Sequence, residues 1–249
     1  MTEDRQPSSL KGRLANVYAP ALVEGAIDAL SKRLGNRATI DDPVHGRASS
    51  LASIDPLLVK TATYLGDAKA KYRQVASTTG VDRDVAEGVL TLQRDGKELD
   101  MPILVVAERR RLREIELRIY YALPEKPDGH KPRAPLVSAG RDVPMPQVVA
   151  HVVDALKKGA VERVLAAFEE TSRIVDPTSS VHAKRDGKMA SFVTQLGGLD
   201  VATGGSADDG RTCCIEATVT RTGREPIPAA LSFERGDSGL LRELRVYWD

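Results

Sequence analysis

"ALVEGAIDALSKRLGNRATIDDP", Ala21–Pro43, and "ALKKGAVERVLAAFEETSRIVDP", Ala155–Pro177, lie 134 residues apart and align without a gap. Ala21 and Leu22 meet Ala155 and Leu156; Gly25 meets Gly159, Ile27 Val161, Leu30 Val164 and Leu34 Phe168. Both stretches end on Ile-x-Asp-Pro, as Ile40–Pro43 and Ile174–Pro177. Two further matches follow in the same order at an offset of 127: "DGKE" (Asp95–Glu98) with "TGRE" (Thr222–Glu225), and "ELRIYY" (Glu116–Tyr121) with "ELRVYW" (Glu243–Trp248). Three separated, ordered agreements identify an internal repeat, which decides the architecture before any single element does. The chain reads as two tandem copies of one fold, residues 9–122 and 147–249. The proline- and charge-rich 123–146 between them predicts an extended, solvated linker.

Each copy begins with helical spacing and ends with strands. Leu10, Leu14, Val17, Leu22, Ala26, Ile27, Leu30 and Leu34 recur at helical intervals. Pro20 and Gly25 predict a break into two short helices. "ATIDDP" predicts a short strand, and Ser50–Gly66 a third helix. Strand-like runs follow at Lys69–Thr78, Asp84–Gln93, Glu98–Arg109 and Leu112–Tyr121, with Asp95-Gly96 as a hairpin turn. The second copy predicts helices over Gln147–Phe168 and Gly187–Leu196, and strands at Ile174–Asp176, Thr212–Arg221, Ile227–Phe233 and Leu240–Trp248. "GGLDVATGGSADDG", Gly197–Gly210, reads as a glycine-rich loop. Helices followed by a meandering sheet make an α+β fold.

Composition excludes several function classes. The 249 residues carry a formal net charge of +1, which gives no global field toward nucleic acid or anionic lipid. No apolar run reaches the roughly 18 residues of a membrane span, and "MTEDRQPSSLKGR" holds no signal-peptide core, so a cytoplasmic protein is expected. The two cysteines, Cys213 and Cys214, are adjacent; on a strand they face opposite ways, which suits neither a disulfide nor a metal. "ERRRLR", Glu108–Arg113, reads as a solvated hairpin tip, and no aromatic stacking residues accompany it.

Helices, then strand-Asp-Pro, a helix, and a sheet ending in Arg-Ile/Val-Tyr-Tyr/Trp resemble the nuclear transport factor 2-like superfamily, with ketosteroid isomerase and the SnoaL-like polyketide cyclases. The tandem layout resembles the two-domain epoxide hydrolases of polyether biosynthesis. The resemblance implies two cone-shaped α+β domains, each a curved sheet closed by helices around an apolar pocket. It implies a cofactor- and metal-independent proton-transfer reaction on a small hydrophobic molecule: isomerisation, cyclisation or epoxide opening. The alternative is a binding module that kept the fold without the chemistry. It also implies pairing through the sheet, either between the halves as a pseudo-dimer or in a homodimer.

"TIDDPVHG", Thr39–Gly46, matches the isomerase pattern around its catalytic acid, which places the general base at Asp42. Tyr18, 24 residues earlier, falls on the oxyanion tyrosine. A desolvated carboxyl has a raised pKa and suits proton abstraction, and a tyrosine hydroxyl suits donation to the resulting oxyanion. Tyr18 as an ordinary core ring with its hydroxyl at the surface is the plainer reading. The family's further acid on the third strand falls at Leu104 and Val105, so it is missing; Asp100 lies nearby but out of register. Asp41 should face away from Asp42, and His45 adds a weaker acid–base candidate beside an exposed-loop reading. In the second copy Val152 takes the tyrosine position and "IPAALSF" (Ile227–Phe233) carries no acid. Asp176 therefore stands alone as a weak candidate, more simply a turn carboxylate, with His182 weaker still. Glu87 and Glu216 occupy matched places on the second long strand, and alternation does not say which face they take.

Overall fold

The computed structural model describes residues 12–110, 114–122, 133–138, 140, 143–221 and 223–248. The chain divides into two compact units, the first formed by the residues up to 77 with 81–119, the second by 78–80 with the residues from 120 onward. The first unit contains helices α1 (Leu14–Val23) and α2 (Ile27–Leu34), strands β1 (Ala38–Asp42) and β2 (Gly46–Ala48), and helix α3 (Leu51–Asp67). Strands β3 (Lys71–Thr79), β4 (Arg83–Arg94), β5 (Lys97–Arg109) and β6 (Ile115–Tyr120) complete it. The second unit repeats the order: α4 (Gln147–Lys157), α5 (Val161–Ala166), β7 (Phe168–Val175), β8 (Val181–Ala183), α6 (Lys188–Leu196), β9 (Asp200–Asp208), β10 (Thr212–Thr220), β11 (Ile227–Arg235) and β12 (Leu241–Trp248). The sheets run β2-β1-β6-β5-β4-β3 and β8-β7-β12-β11-β10-β9, the same order twice. In each, the first long strand lies parallel to the last, β1 with β6 and β7 with β12.

Local chemistry accounts for the elements. Asp95 and Gly96 both take positive φ, 50° and 75°, the geometry of a type I′ turn, and this sets the twelve-pair β4–β5 register from Arg83↔Glu108 to Arg94↔Lys97. The break between α1 and α2 falls at Gly25, whose φ is 69°. Pro20 does not break the helix as expected; it sits inside α1. A proline forfeits one helical hydrogen bond, but α1 is buried on most of its circumference, through Leu14, Ala15, Val17, Tyr18, Ala19, Ala21 and Leu22. Packing holds the turn that propensity alone would open. Ser53 accepts the Ser50 N–H at 3.1 Å and closes the first turn of α3.

The glycine-rich Gly197–Gly210 is not a loop. It forms β9, an edge strand paired antiparallel with β10. Its glycines serve a close approach. A Cβ on Gly204 would lie 2.4 Å from Val137 Cγ2 and 2.8 Å from the Ser138 carbonyl oxygen. The Gly140 N–H donates to the Thr203 carbonyl at 2.8 Å, and the Ser206 hydroxyl donates to the Pro144 carbonyl. Part of the expected solvated linker therefore lies against β9 and covers an edge that would otherwise expose unpaired backbone; linker residues 123–132, 139 and 141–142 lie outside the described residues. No helix among the described residues is long and apolar enough to cross a membrane.

Register assigns the faces of the first sheet. Directly paired residues share a side, and side chains alternate along a strand. Asp84, Ala86, Gly88, Leu90 and Leu92 therefore share a face with Ala107, Val105, Ile103, Met101 and Leu99. Arg13, at the start of α1, bonds Asp84, and α1 packs on β4 and β5, so this face is the helix side. Glu108, Arg83 and Glu87 point the other way. Arg118 bonds Glu108 at 2.6 Å, which sets Arg118 and Glu116 on that far face, with Leu117 and Ile119 on the helix side.

The repeated Glu-Leu-Arg builds an ionic row on the far face of both sheets. Glu108 binds Arg83 at 3.0 Å and Arg118 at 2.6 Å; Glu116 binds Arg110 at 2.6 Å and Arg118 at 3.2 Å. Burial alone would raise the Glu108 carboxyl, but Arg83 and Arg118 outweigh it and hold it below the usual carboxylate range. In the second sheet Arg245 binds Glu243 at 2.6 Å and Glu234 at 3.2 Å, and Arg211 binds Glu234 at 2.8 Å. Glu108 and Arg110 are thus structural ion-pair members; 111–113 lie outside the described residues.

Candidate functional site

Asp42 ends β1 on the helix side of the sheet. Ile40 pairs with Leu117 and Asp41 with Arg118, so alternation sends Asp42 toward the helices and Asp41 to the ionic face. Asp41 accordingly takes an ion pair with Arg47 at 3.3 Å. The Asp42 carboxylate is 1 % exposed. Its Oδ1 accepts the backbone N–H groups of Val44 at 2.8 Å and His45 at 2.9 Å, closing the β1–β2 turn that Pro43 enters. His45 contributes that N–H while its side chain is exposed.

Tyr18 comes from the buried face of α1 and is also 1 % exposed. Its hydroxyl is not at the surface, as the plainer reading expected; it is buried and has no hydrogen-bond partner among the described residues. Its pKa is raised well above the ordinary tyrosine value, first by burial and then by the negative charge of Asp42. The pair is therefore electrostatically coupled on the helix side, with Tyr18 held as a neutral O–H donor.

The third-strand positions resolve by face. Val105 lies on the helix side and Leu104 on the far side, both buried and apolar. Asp100 accepts a 2.7 Å hydrogen bond from Thr91 on the far face and does not join the pair. Glu87, opposite Leu104, is fully buried on the far face. It is separated from Asp42 by the sheet itself, which excludes it as that aspartate's acid–base partner. Tyr72 lies close over Gly88, where an added Cβ would meet its ring Cε2 at 2.2 Å. Burial, then the charge of Glu87, pushes Tyr72 up to about 12. Glu216 pairs across from Ala230, on the same face as Ser232 and Arg245.

The second unit is filled where the first has its tyrosine. Val152 is buried in a cluster with Val149, Leu156, Phe168, Ile174 and Val193. Cys213 points into this core, and Cys214 faces the other way with Ser232. Both cysteines are buried and stand outside any disulfide; burial, then the charge of Asp208, pushes Cys213 up to about 12.

Asp176 does not stand alone. Its Oδ1 accepts from the Thr178 N–H at 2.8 Å, the Thr178 hydroxyl at 2.7 Å and the Ser180 N–H at 3.0 Å. Its Oδ2 lies 2.9 Å from His182 Nε2. His182 sits on β8 opposite Ile174, and its ring stacks on Phe192 of α6, centroids 4.2 Å apart at 20°. The turn role expected for Asp176 is present, with a histidine added. Sequence reasoning missed that partner, although the 134-residue offset carries the signal: His182 falls on Ala48, a core position of the first unit.

No protein-family model and no curated protein matches the chain. Solved structures do. An NTF2-like protein of unknown function from Cytophaga hutchinsonii is 15% identical over 43% of this chain and 91% of its own, with a TM-score of 0.38. The epoxide hydrolase/cyclase-like enzyme SalBIII, of pyran ring formation in the polyether salinomycin, is 17% identical over 41% of this chain and 88% of its own, TM-score 0.37. The canthaxanthin-binding orange carotenoid protein of Anabaena (Nostoc) sp. PCC 7120 is 14% identical over 47% of this chain and 42% of its own, TM-score 0.39. Each of these likenesses covers less than half of this chain. With the same order of helices and strands written twice, the chain is an α+β protein built of two successive units.

Proposed function

We propose that the first unit binds a small, largely apolar molecule bearing an oxygen acceptor and transfers a proton on it, with Asp42 as the base and Tyr18 as the donor to the oxygen. The carrying observation is the Tyr18 hydroxyl, buried without a partner among the described residues. An unsatisfied buried hydroxyl costs about 1–3 kcal/mol, a cost that a ligand carbonyl, hydroxyl or epoxide oxygen would remove. Asp42 would take a proton from carbon or from an attacking hydroxyl while Tyr18 donates to the oxygen that gains charge. The raised Tyr18 pKa suits this role, because a neutral phenol keeps its proton to donate. Isomerisation, cyclisation and epoxide opening all fit this pair.

A second reading, ligand binding without turnover, is favoured by Val105, since an apolar residue on the helix side leaves the oxygen without a second donor from that strand. One experiment separates the two. Turnover of a β,γ-unsaturated ketone and of a terminal epoxide is measured beside their binding, in wild type, Asp42→Asn and Tyr18→Phe. The enzyme reading expects Asp42→Asn to lower turnover by about 10²–10⁴-fold while binding persists. Unchanged turnover in Asp42→Asn removes that residue as the base. Binding without turnover in wild type, weakened by Tyr18→Phe, selects the binding module.

A further inference from the structure

We propose that the second unit carries an acid–base centre of its own, in which His182 Nδ1 accepts a proton from a bound hydroxyl or water and Asp176 is its positioning residue. Four observations converge. Asp176 is the counterpart of Asp42 at the repeat offset, so the centre occupies the same corner of the fold. His182 enters from the strand paired with β7, where the first unit has Ala48. Its ring is fixed at an edge by the 2.9 Å contact to Asp176 and over a face by Phe192 at 4.2 Å. Its side chain also keeps 21% of its surface accessible, so the pair is not sealed.

The tautomer follows from the acceptors. Burial acts to raise the Asp176 carboxyl, but hydrogen bonds from His182, Thr178 and Ser180 outweigh it and hold it low. An ionised carboxylate can only accept, so Nε2 carries the hydrogen and Nδ1 keeps the lone pair. A carboxylate that orients a histidine and steadies its cationic form is the arrangement that makes imidazole an effective base. The first unit pairs its acid with a tyrosine; the second pairs the matching acid with a histidine. The two units thereby offer different proton-transfer groups for hydroxyl-bearing or hydrolysable small molecules.

The test uses the full chain and p-nitrophenyl acetate. In its hydrolysis the water oxygen bonds to the carbonyl carbon, the water proton passes to Nδ1, and p-nitrophenolate leaves. His182→Gln is expected to lower the rate about 10²-fold, at the lower end of general-base contributions. His151→Gln, at an exposed site, serves as the control and leaves the rate unchanged. Asp176→Asn is expected to move the midpoint of the pH–rate profile downward, because loss of the carboxylate destabilises the imidazolium. A purely structural role would lower the plateau and leave the midpoint in place. Circular dichroism confirms that the variants fold; if His182→Gln does not, the midpoint shift in Asp176→Asn decides. A loss of less than about tenfold in folded His182→Gln, or an unmoved midpoint in Asp176→Asn, overturns the proposal.

Discussion

Replacing Tyr18 by phenylalanine removes one oxygen and leaves the ring in place, so its effect on stability isolates the state of that hydroxyl. If the hydroxyl were hydrogen-bonded, its loss would cost about 0.5–1.5 kcal/mol. Tyr18 is 1 % exposed and its hydroxyl has no partner among the described residues. Tyr18→Phe should therefore stabilise the ligand-free protein, by about 1–3 kcal/mol, the desolvation penalty of an unpaired buried group. The sign of the change separates the two cases. Urea unfolding followed by far-UV circular dichroism measures it, and the slope should not change. With a slope of about 1–3 kcal/mol per molar urea, a gain of 1 kcal/mol moves the midpoint up by about 0.3–1 M. The single tryptophan, Trp248, lies on β12 of the second unit, so its fluorescence gives a transition that the substitution leaves unmoved if the units unfold separately. A midpoint displaced downward by Tyr18→Phe would refute the reasoning, and with it the case for a waiting donor.

Other outcomes follow from the same geometry. Tyr72, raised from 10.0 to about 12, should ionise late in an ultraviolet alkaline titration; its folded value lies above the unfolded one, so its contribution to stability is intact below pH 10 and fades as pH climbs toward 12. A Tyr72 that titrates at the ordinary value would show that its burial and the charge of Glu87 are not felt. Cys213 and Cys214, both buried, should resist thiol reagents at neutral pH and react only on unfolding, read by mass spectrometry; rapid native labelling would contradict their burial. Gly204→Val should expel Val137 from β9 and expose the chain at Val137 and Ser138 to limited proteolysis, whereas an unchanged digestion pattern would show that the close approach is not needed.

Much of the fold was legible because the repeat and the alternation were both written in side chains. The β4–β5 hairpin followed from Asp95-Gly96 and its flanking apolar pattern. β9 did not, since Gly204 and Gly205 remove the very side chains that alternation reads, and the reason for Gly204 is a segment some sixty residues away. Pro20 misled because local propensity ignores how completely α1 is buried. The site was half legible. The resemblance to the isomerase pattern brought forward Tyr18 and Asp42, and alternation placed Asp41 on the opposite side. The side taken by Glu87 required the observed pairing with Leu104 and the ion pair from Arg13 to Asp84. The His182–Asp176 contact depends on a three-residue strand, β8, too short to show any periodicity.

The cover over β9 bears on how the chain can be divided. A fragment beginning at Gln147 would contain every helix and strand of the second unit yet leave the Thr203 carbonyl and Gly204 bare, inviting another polypeptide to zip onto the exposed backbone. A fragment that starts upstream of Val137 brings its own stopper. Any natural or laboratory separation of the two halves should therefore tolerate a cut shortly after Tyr121 far better than one at the threshold of α4.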